Sequence, residues 1–535
     1  MKLNVKPDGK KSQNILLIIL AVLAVLSVVF CVLTLATDLF VPAKEYASLV
    51  IYEGPKPVPS SAEVSAKVDG HELFVYDTEV NHNYASFSDN RPILDTVPIT
   101  SFDFDGAPVT MQITVNELTE LTDVVVRPLM KGIVPTVEGN VITFQIPEPD
   151  TYTVEYNGNV QNAVHIFANA IDPNAPTESS GNVKYIGPGA WDIANLKLED
   201  DMELYISGGA VIRGVISGEG VTNAKVWGRG ILDGSHNESW TIINSAHVPI
   251  SITACENVDI SGISLLDSNA WCLNIYDCDN INVDNVKIIS ARPNGDGVTI
   301  QSSRDILVKN CFVRSWDDSL VIKNYSTEAG HDSANITFDN IQIWTDLAQS
   351  MEIGYETNKF SKEDCTIQNI VFQNITVLHN FHKPVMSIHN SDDCDVSNVR
   401  YSNIIVEDAS MGKGDAGYDN HLIDINTMNS EIWSHTKERG SVDNVLFENV
   451  YVLDGDDMAD GTEGNFCCIR IYGNSVEDNC TNITVNDLFV LGKPITDENV
   501  KDAAGTVIGK TTENVHFYNT VELPAEIAAI TNMAE

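Results

Sequence analysis

Positive charge is what this sequence has least of. Its 32 Lys and Arg stand against 75 Asp and Glu, a formal net charge of −43 at pH 7. So acidic a surface repels nucleic acid and anionic membranes at long range, which argues against a nucleic-acid partner. Against a polyanionic glycan the same field counts only mildly, because ordinary salt screens it beyond about 8–10 Å. Cysteine is thinly spread: ten residues run from Cys31 to Cys480 without the dense, even spacing of a disulfide framework. They read as small apolar core fillers, with Cys467-Cys468 to Cys480 and Cys272 to Cys278 as the two pairings open to a bridge. No spacing resembles a zinc site, and His331, His379 and His382 are not placed as ligands, so neither metal nor cofactor is expected. Nor is the composition, 43% hydrophobic and 20% charged, that of a disordered chain.

One long apolar run is present, from Ile15 to Ala36, broken only by Ser27 and Thr34 and preceded by Lys2, Lys6, Lys10 and Lys11. At 1.5 Å per residue its roughly 22 residues match a bilayer core of about 30 Å. Lysines before it, with Asp38 and Glu45 after it, orient the N-terminus to the cytoplasm and the rest outward. Residues 1–40 therefore read as a cytoplasmic stub and signal-anchor helix; the alternative is a signal peptide cleaved after Thr34-Leu35-Ala36. Either way the remainder is expected at the outer face of the membrane or secreted, as a monomer that touches lipid only through this helix.

Residues 45–170 alternate in polarity and are rich in β-branched side chains, as in Asp123-Val124-Val125-Val126-Arg127 and Tyr152-Thr153-Val154-Glu155-Tyr156. With Asp69-Gly70, Glu138-Gly139 and Asn157-Gly158 as turns, the stretch predicts a small antiparallel β-sandwich serving as an accessory module. Asp172 to Gly181 reads as a linker. Over residues 183–520 a repeat takes over, of the form Asn-aliphatic-x-aliphatic-x-Asn-aliphatic-x-aliphatic. Copies begin at Asn257, Asn280, Asp305, Asn335, Asn369, Asn398, Asn444, Asn482 and Asn514, at intervals of 23, 25, 30, 34, 29, 46, 38 and 32 residues. That period is one coil of a parallel β-helix with loops of varying length. Each coil exposes an apolar row that only the next coil can cover, and the Asn residues mark corners where they stack in hydrogen-bonded ladders. The expected fold class is all-β: a right-handed parallel β-helix of about ten coils, preceded by the sandwich and the N-terminal helix. Residues 521–535 are left as a C-terminal tail.

Three carboxylates separate themselves from the rest by position. Asp296 lies in Asn294-Gly295-Asp296-Gly297 and the pair Asp317-Asp318 in Trp316-Asp317-Asp318-Ser319; the difference 317 − 296 is 21, one short coil. That step sets Asp296 beside the pair, provided the chain bends so that both neighbours face one side. Crowded like charges raise at least one pKa, which keeps one carboxyl protonated as an acid while others stay ionised as bases. A lone Asp at such a place is ordinarily a solvated turn. Asp392-Asp393 and Asp456-Asp457, which lack an Asp one coil earlier, illustrate that bland case.

Around the trio, Asn294, Lys323, Gln349, Glu352, Tyr355, His389, Trp316 and Arg292 are candidates for binding substrate, with Glu356, Trp271 and Trp344 behind them. Amide, guanidinium and aromatic groups suit sugar hydroxyls and sugar faces, which is why glycan clefts carry them. For each the competing reading is plain packing, and Lys323 could equally settle the charge of an aspartate.

On these residues the chain resembles the polygalacturonase superfamily, meaning glycoside hydrolase family 28 and its relative, the dextranase family 49. Asn294-Gly295-Asp296 is similar to the family 28 Asn-Thr-Asp, and Trp316 to Lys323 is similar to its Asp-Asp segment. Tyr185-Ile186-Gly187-Pro188-Gly189 and Gly228-Arg229-Gly230-Ile231-Leu232-Asp233-Gly234 also look like it, and a sandwich ahead of the helix resembles family 49. The resemblance implies an inverting glycoside hydrolase, with Asp317 as general acid to the leaving oxygen and Asp296 and Asp318 activating the attacking water. Two departures bear on the substrate. Gln349 stands at the family's Gly-His-Gly histidine, and Ser387-Ile388-His389 stands at its Arg-Ile-Lys, so the bidentate, charge-assisted contact to a uronate carboxylate is lost. The expected partner is thus a poly- or oligosaccharide with α-linkages, a neutral α-glucan ahead of pectin. The alternatives are a polygalacturonase-like pectin hydrolase, a polysaccharide lyase and a non-catalytic glycan-binding helix.

Overall fold

The computed structural model describes residues 48–82, 93–240, 246–409, 412–413, 419–454, 469–500 and 506–534. The apolar run from Ile15 to Ala36 lies outside them, as do Cys467-Cys468 and Asp456-Asp457. Among the described residues no helix is long and apolar enough to cross a membrane.

Twenty-eight strands, from Val183–Ile186 to Thr512–Tyr518, form one sheet wound as a parallel β-helix. The register carries the period. Asp259, Asn282, Leu307, Thr337, Val371, Arg400, Leu446, Thr484 and His516 pair in turn on successive coils, at the steps of the Asn repeat. The ladders form as the repeat predicts. Asn280 donates to Asn257 at 2.6 Å, Asn369 to Asn335 at 3.0 Å and Asn398 to Asn369 at 3.1 Å. A second ladder joins Asn340 to Asn310 at 2.8 Å and Asn449 to Asn403 at 3.0 Å. All of these Asn have φ between 53° and 58°, the left-handed region that Asn tolerates better than other side chains. Inside the coils Phe338, Phe372, Tyr401 and Phe447 stack with centroids 4.9, 4.8 and 4.7 Å apart. The cysteines among the described residues, Cys272, Cys278 and Cys480 included, are free and buried. Core filling, not bridging, is their role here.

Between Leu49 and Ala170 the chain forms a six-stranded and a five-stranded sheet that share a core of Phe102, Phe104, Met111, Phe144 and Tyr152. The pairing is antiparallel with one exception: Leu94–Phe104 and Asn159–Ala170 run parallel. The hairpin closed at Asn157-Gly158 lays its second strand against Leu94–Phe104, which departs from the purely antiparallel expectation. This unit is not loosely tethered. Tyr76, Val97, Ile99 and Phe167 pack on Leu266, Ile289, Phe312, Trp344 and Leu378 of the coils. Buried ion pairs cross the same seam, Arg229 with Asp103 at 3.0 Å, His379 with Glu155 at 2.7 Å and Arg127 with Glu407 at 2.9 Å. At the other end Ala525–Ala534 is helical where a tail was expected, because Ile527 finds an apolar seat on Tyr451, Leu453 and Phe489.

Candidate active site

One kind of turn, repeated coil by coil, carries the acidic residues. Asp296 precedes the strand Val298–Gln301, Asp317 and Asp318 precede Leu320–Lys323, and Gln349 precedes Met351–Tyr355. Backbone bonds set these turns level: Gly297 N donates to Asp318 O and Ser319 N to Gln349 O, both at 2.8 Å. Asp318, rather than Asp317, is therefore stacked on Asp296, because Val298 pairs with Leu320, a step of 320 − 298 = 22. The bend that brings both neighbours to one site is present. Residues 316–319 leave the strand, Asp318 N donates to Asp317 Oδ1 at 3.2 Å, and Asn294 N donates to Asp317 Oδ2 at 3.1 Å. Asp296 and Asp318 are 3% and 7% exposed, whereas Asp317 is only partly buried and reaches solvent.

Burial raises the pKa of all three carboxyls. For Asp318 the charges of Asp296 and Asp317 push it further up; for Asp296 the ammonium of Lys323 pulls back against burial. Carboxyls coupled in this way titrate as a unit and keep a proton at a pH where isolated ones have lost theirs, which is what a general acid requires.

Lys323 lies between two carboxylates, its Nζ 3.8 Å from Asp296 Oδ2 and 3.1 Å from Glu356 Oε2. Tyr325 Oη donates to Glu356 Oε1 at 2.9 Å. Burial opposes the ammonium, but Glu356 and Asp296 outweigh it and hold Lys323 well above its ordinary pKa. Burial likewise opposes the Glu356 carboxylate, and Lys323 and Tyr325 outweigh it in turn. Of the two readings of Lys323, charge settlement is the one its contacts describe. The partly exposed ring of Trp271 lies 5.7 Å from the same Nζ.

Several other candidates sit elsewhere than a binding surface. Trp316 is 1% exposed, turned under the bend it belongs to. Trp344 is fully buried in the seam, its ring 4.1 Å from the Arg314 guanidinium and its Nε1 donating to Asp346 at 2.8 Å. Arg292 is buried as well, spent on Glu79 at 3.1 Å and on the carbonyls of Ser235 and Asn237. Glu352 and His389 lie beneath Tyr355. His389 Nδ1 is 2.9 Å from Glu352 Oε1, its Nε2 is 2.9 Å from Asp424 Oδ2, and Arg470 closes the line on Asp424. Register is the cause, since Glu352, Ser387, Asp424 and Arg470 occupy one column on successive coils. Buried charges must pair, and Glu352, His389 and Asp424 do so, with the partly exposed Arg470 supplying the second cation. Burial opposes the His389 imidazolium, yet Glu352 and Asp424 carry its pKa up to about 10.

Gln349 and Tyr355 do flank the trio. Gln349 N donates to Asp318 Oδ1 at 3.2 Å and its Nε2 to Tyr355 Oη at 3.3 Å. Just before Tyr355, Gly354 has φ of +133°, and a Cβ there would stand 2.3 Å from His389 O. Trp433, 38% exposed, lies 6.3 Å from Tyr355 and extends its aromatic surface. Sequence reasoning missed Trp433, Asp424 and Arg470. Arg470-Ile471 is an Arg-Ile pair in the same register two coils beyond Ser387-Ile388, a signal open to reading. Asp392, expected on a solvated turn, is instead fully buried and accepts Thr436 N at 3.0 Å. Among the described residues no group of three or more His, Cys, Asp or Glu is arranged to hold a metal ion.

The class that the fold and the site define is a parallel β-helix protein with three aspartates gathered on one row of turns. The sequence profile of glycosyl hydrolases family 28 matches residues 194–487, more than half of the chain, and the protein belongs to that family. Polygalacturonase QRT2 of Arabidopsis thaliana is 25% identical over 228 residues, 35% of this chain and 51% of its own length. The exopolygalacturonase of Zea mays is 24% identical over 253 residues, 43% of this chain and 57% of its own. The chain thus spans about half the length of these curated relatives. Among solved structures, Dex49A from Penicillium minioluteum superposes with a TM-score of 0.56 at 14% identity, over 87% of this chain and 96% of that chain. That coverage exceeds the coils alone, so the likeness of fold takes in the sandwich.

Proposed function

We propose that the protein hydrolyses α-glycosidic bonds of an extracellular polysaccharide in one displacement with inversion, and that it prefers a neutral α-glucan to a uronic-acid polymer. The observation that carries this reading is the stacking of Asp296 on Asp318 with Asp317 at their open side. Asp317 reaches solvent and is the acid that protonates the leaving oxygen; Asp296 and Asp318, deeper and backed by Lys323, hold and deprotonate the attacking water. Asn294, Gln349, Tyr355 and Trp433 supply amide and aromatic groups for the sugar. The preference for a neutral glycan rests on charge. His389 spends both ring nitrogens on Glu352 and Asp424, Arg470 is paired with Asp424, and Lys323 lies between Asp296 and Glu356. A uronate carboxylate would meet cations already neutralised.

The second reading is a pectin hydrolase, favoured by the names of the curated relatives, both polygalacturonases. Incubating the full chain with dextran, pullulan, polygalacturonan and rhamnogalacturonan, and following reducing ends, decides between them. Proton NMR of the first product from an α-linked polymer should show the β-anomer; an α-anomer would rule out inversion. A product with ultraviolet absorbance from an unsaturated sugar would make the enzyme a lyase. Binding without any cutting would make it a glycan-binding helix.

A further inference from the structure

The strand Val75–Asn81 of the sandwich climbs the coil corners directly behind the acidic turns. Thr78 Oγ1 and Glu79 N both donate to Asp267 Oδ1, at 2.8 and 2.7 Å. Asp267 belongs to the turn one coil before that of Asp296, since the strands that follow the two turns pair through Leu273 and Val298. One coil on, Asn81 Nδ2 donates to Ala291 O at 2.9 Å, and Glu79 Oε2 receives Nη2 of Arg292 at 3.1 Å and its Nε at 3.3 Å. Arg292 also reaches down to the carbonyls of Ser235 and Asn237, and its own carbonyl accepts Gly295 N at 2.8 Å. Ser290 Oγ donates to Gly295 O, and Ser290 O accepts Trp316 N at 3.1 Å, which links this turn to the one bearing Asp317. Asn81, Ser290, Ala291 and Arg292 are all buried.

The turn from Pro293 to Asp296 needs such support. Pro293 has no N–H, and Asn294 is left-handed with φ of 59°, so little of the turn is held by strand pairing. Asp317 Oδ2 accepts Asn294 N at 3.1 Å and Asp296 O accepts Cys272 N at 2.9 Å; the remaining anchors are Ser290 and Arg292, and Arg292 is itself fixed from the sandwich. Without Glu79, a buried guanidinium four residues from Asp296 would lose its counter-charge.

We propose that the strand Val75–Asn81 positions the Asp296 turn, with Glu79 and Arg292 as positioning residues, so that the sandwich is a working part of the catalytic centre. This rests on the hydrolase reading above. A displacement of about 1 Å in a group that holds the attacking water can cost on the order of 100-fold in rate while binding is little changed.

The test uses the full chain carrying Glu79→Gln, with Arg292→Lys as a second variant that keeps the charge but loses the fork. Lys67→Ala, which breaks an exposed sandwich pair with Glu72, is the control. On the glycan that the parent cuts, Glu79→Gln should lose roughly 10- to 100-fold in kcat, with KM within about twofold. Hydrogen exchange should quicken at the amides of residues 294–297 and not in the Leu320–Lys323 strand, and Glu79→Asp should restore part of the rate. A kcat within about twofold of the parent for both variants, or unchanged exchange at that turn, would overturn the proposal. If the parent cuts no glycan, the hydrolase reading fails by itself, and the exchange measurement alone decides whether the strand positions the turn.

Discussion

Tyr355 lies flat on His389, with ring centroids 4.5 Å apart and planes 11° from parallel. The imidazole beneath it is clamped by Glu352 and Asp424, and its pKa is carried up to about 10. A folded-state pKa above the unfolded value of about 6.5 contributes stability that is complete below that pH and is lost as pH rises through about 10. His389→Gln should therefore lower the unfolding free energy by about 3–5 kcal/mol at pH near 6, leaving two buried carboxylates short of a cation. Urea unfolding at both ends of the window checks this. A deficit that stays constant up to pH 10 would contradict it.

Asp318 has the opposite sign. Burial, then Asp296 and Asp317, lift its pKa, so its charge destabilises the fold at neutral pH. Asp318→Asn should raise Tm at pH 7 while turnover falls on the order of 10³-fold. The gain in stability should vanish as pH drops below about 3.9, where both states are protonated. Thermal unfolding at the two pH values measures it, and a lower Tm at pH 7 would sink the account of like-charge crowding.

Lys323 offsets the burial of Asp296 from 3.8 Å. Lys323→Met should shift the acid limb of the kcat/KM profile to higher pH, because a base that has lost its cation gives up its proton later. Lys323→Arg should hold the limb near that of the parent. A profile that keeps its shape while only its height falls would assign Lys323 to substrate contact instead.

Gly354, beside the site, is a position where any side chain would be strained twice, by φ of +133° and by the approach of a Cβ to 2.3 Å from His389 O. Gly354→Ala should cost about 1–3 kcal/mol and displace Tyr355, raising KM more than it lowers kcat. Chemical denaturation and steady-state kinetics on one preparation read both effects.

Most of the helix was open to reading because its contacts are periodic. A residue meets its counterpart one coil away, so the interval between Asn257 and Asn280 in the chain is also the interval between Asp259 and Asn282 in the register. The trio was open for the same reason, Asp296 and the pair being one short coil apart. The sheet pairing within the sandwich and the C-terminal helix were not, because each depends on which apolar surface a distant segment leaves uncovered.

What the sequence by itself determined is therefore the period: the coils, the Asn ladders at their corners, and the meeting of Asp296, Asp317 and Asp318 on one row of turns. What only the tertiary structure decided is which charged side chains answer one another. Arg292 turns to Glu79, 213 residues away, and His389 to Asp424 and through it to Arg470. Spacing cannot announce such pairs, because loops of unequal length lie between the coils. Buried ions seek whichever partner the folded register brings within reach, not the one nearest in the chain.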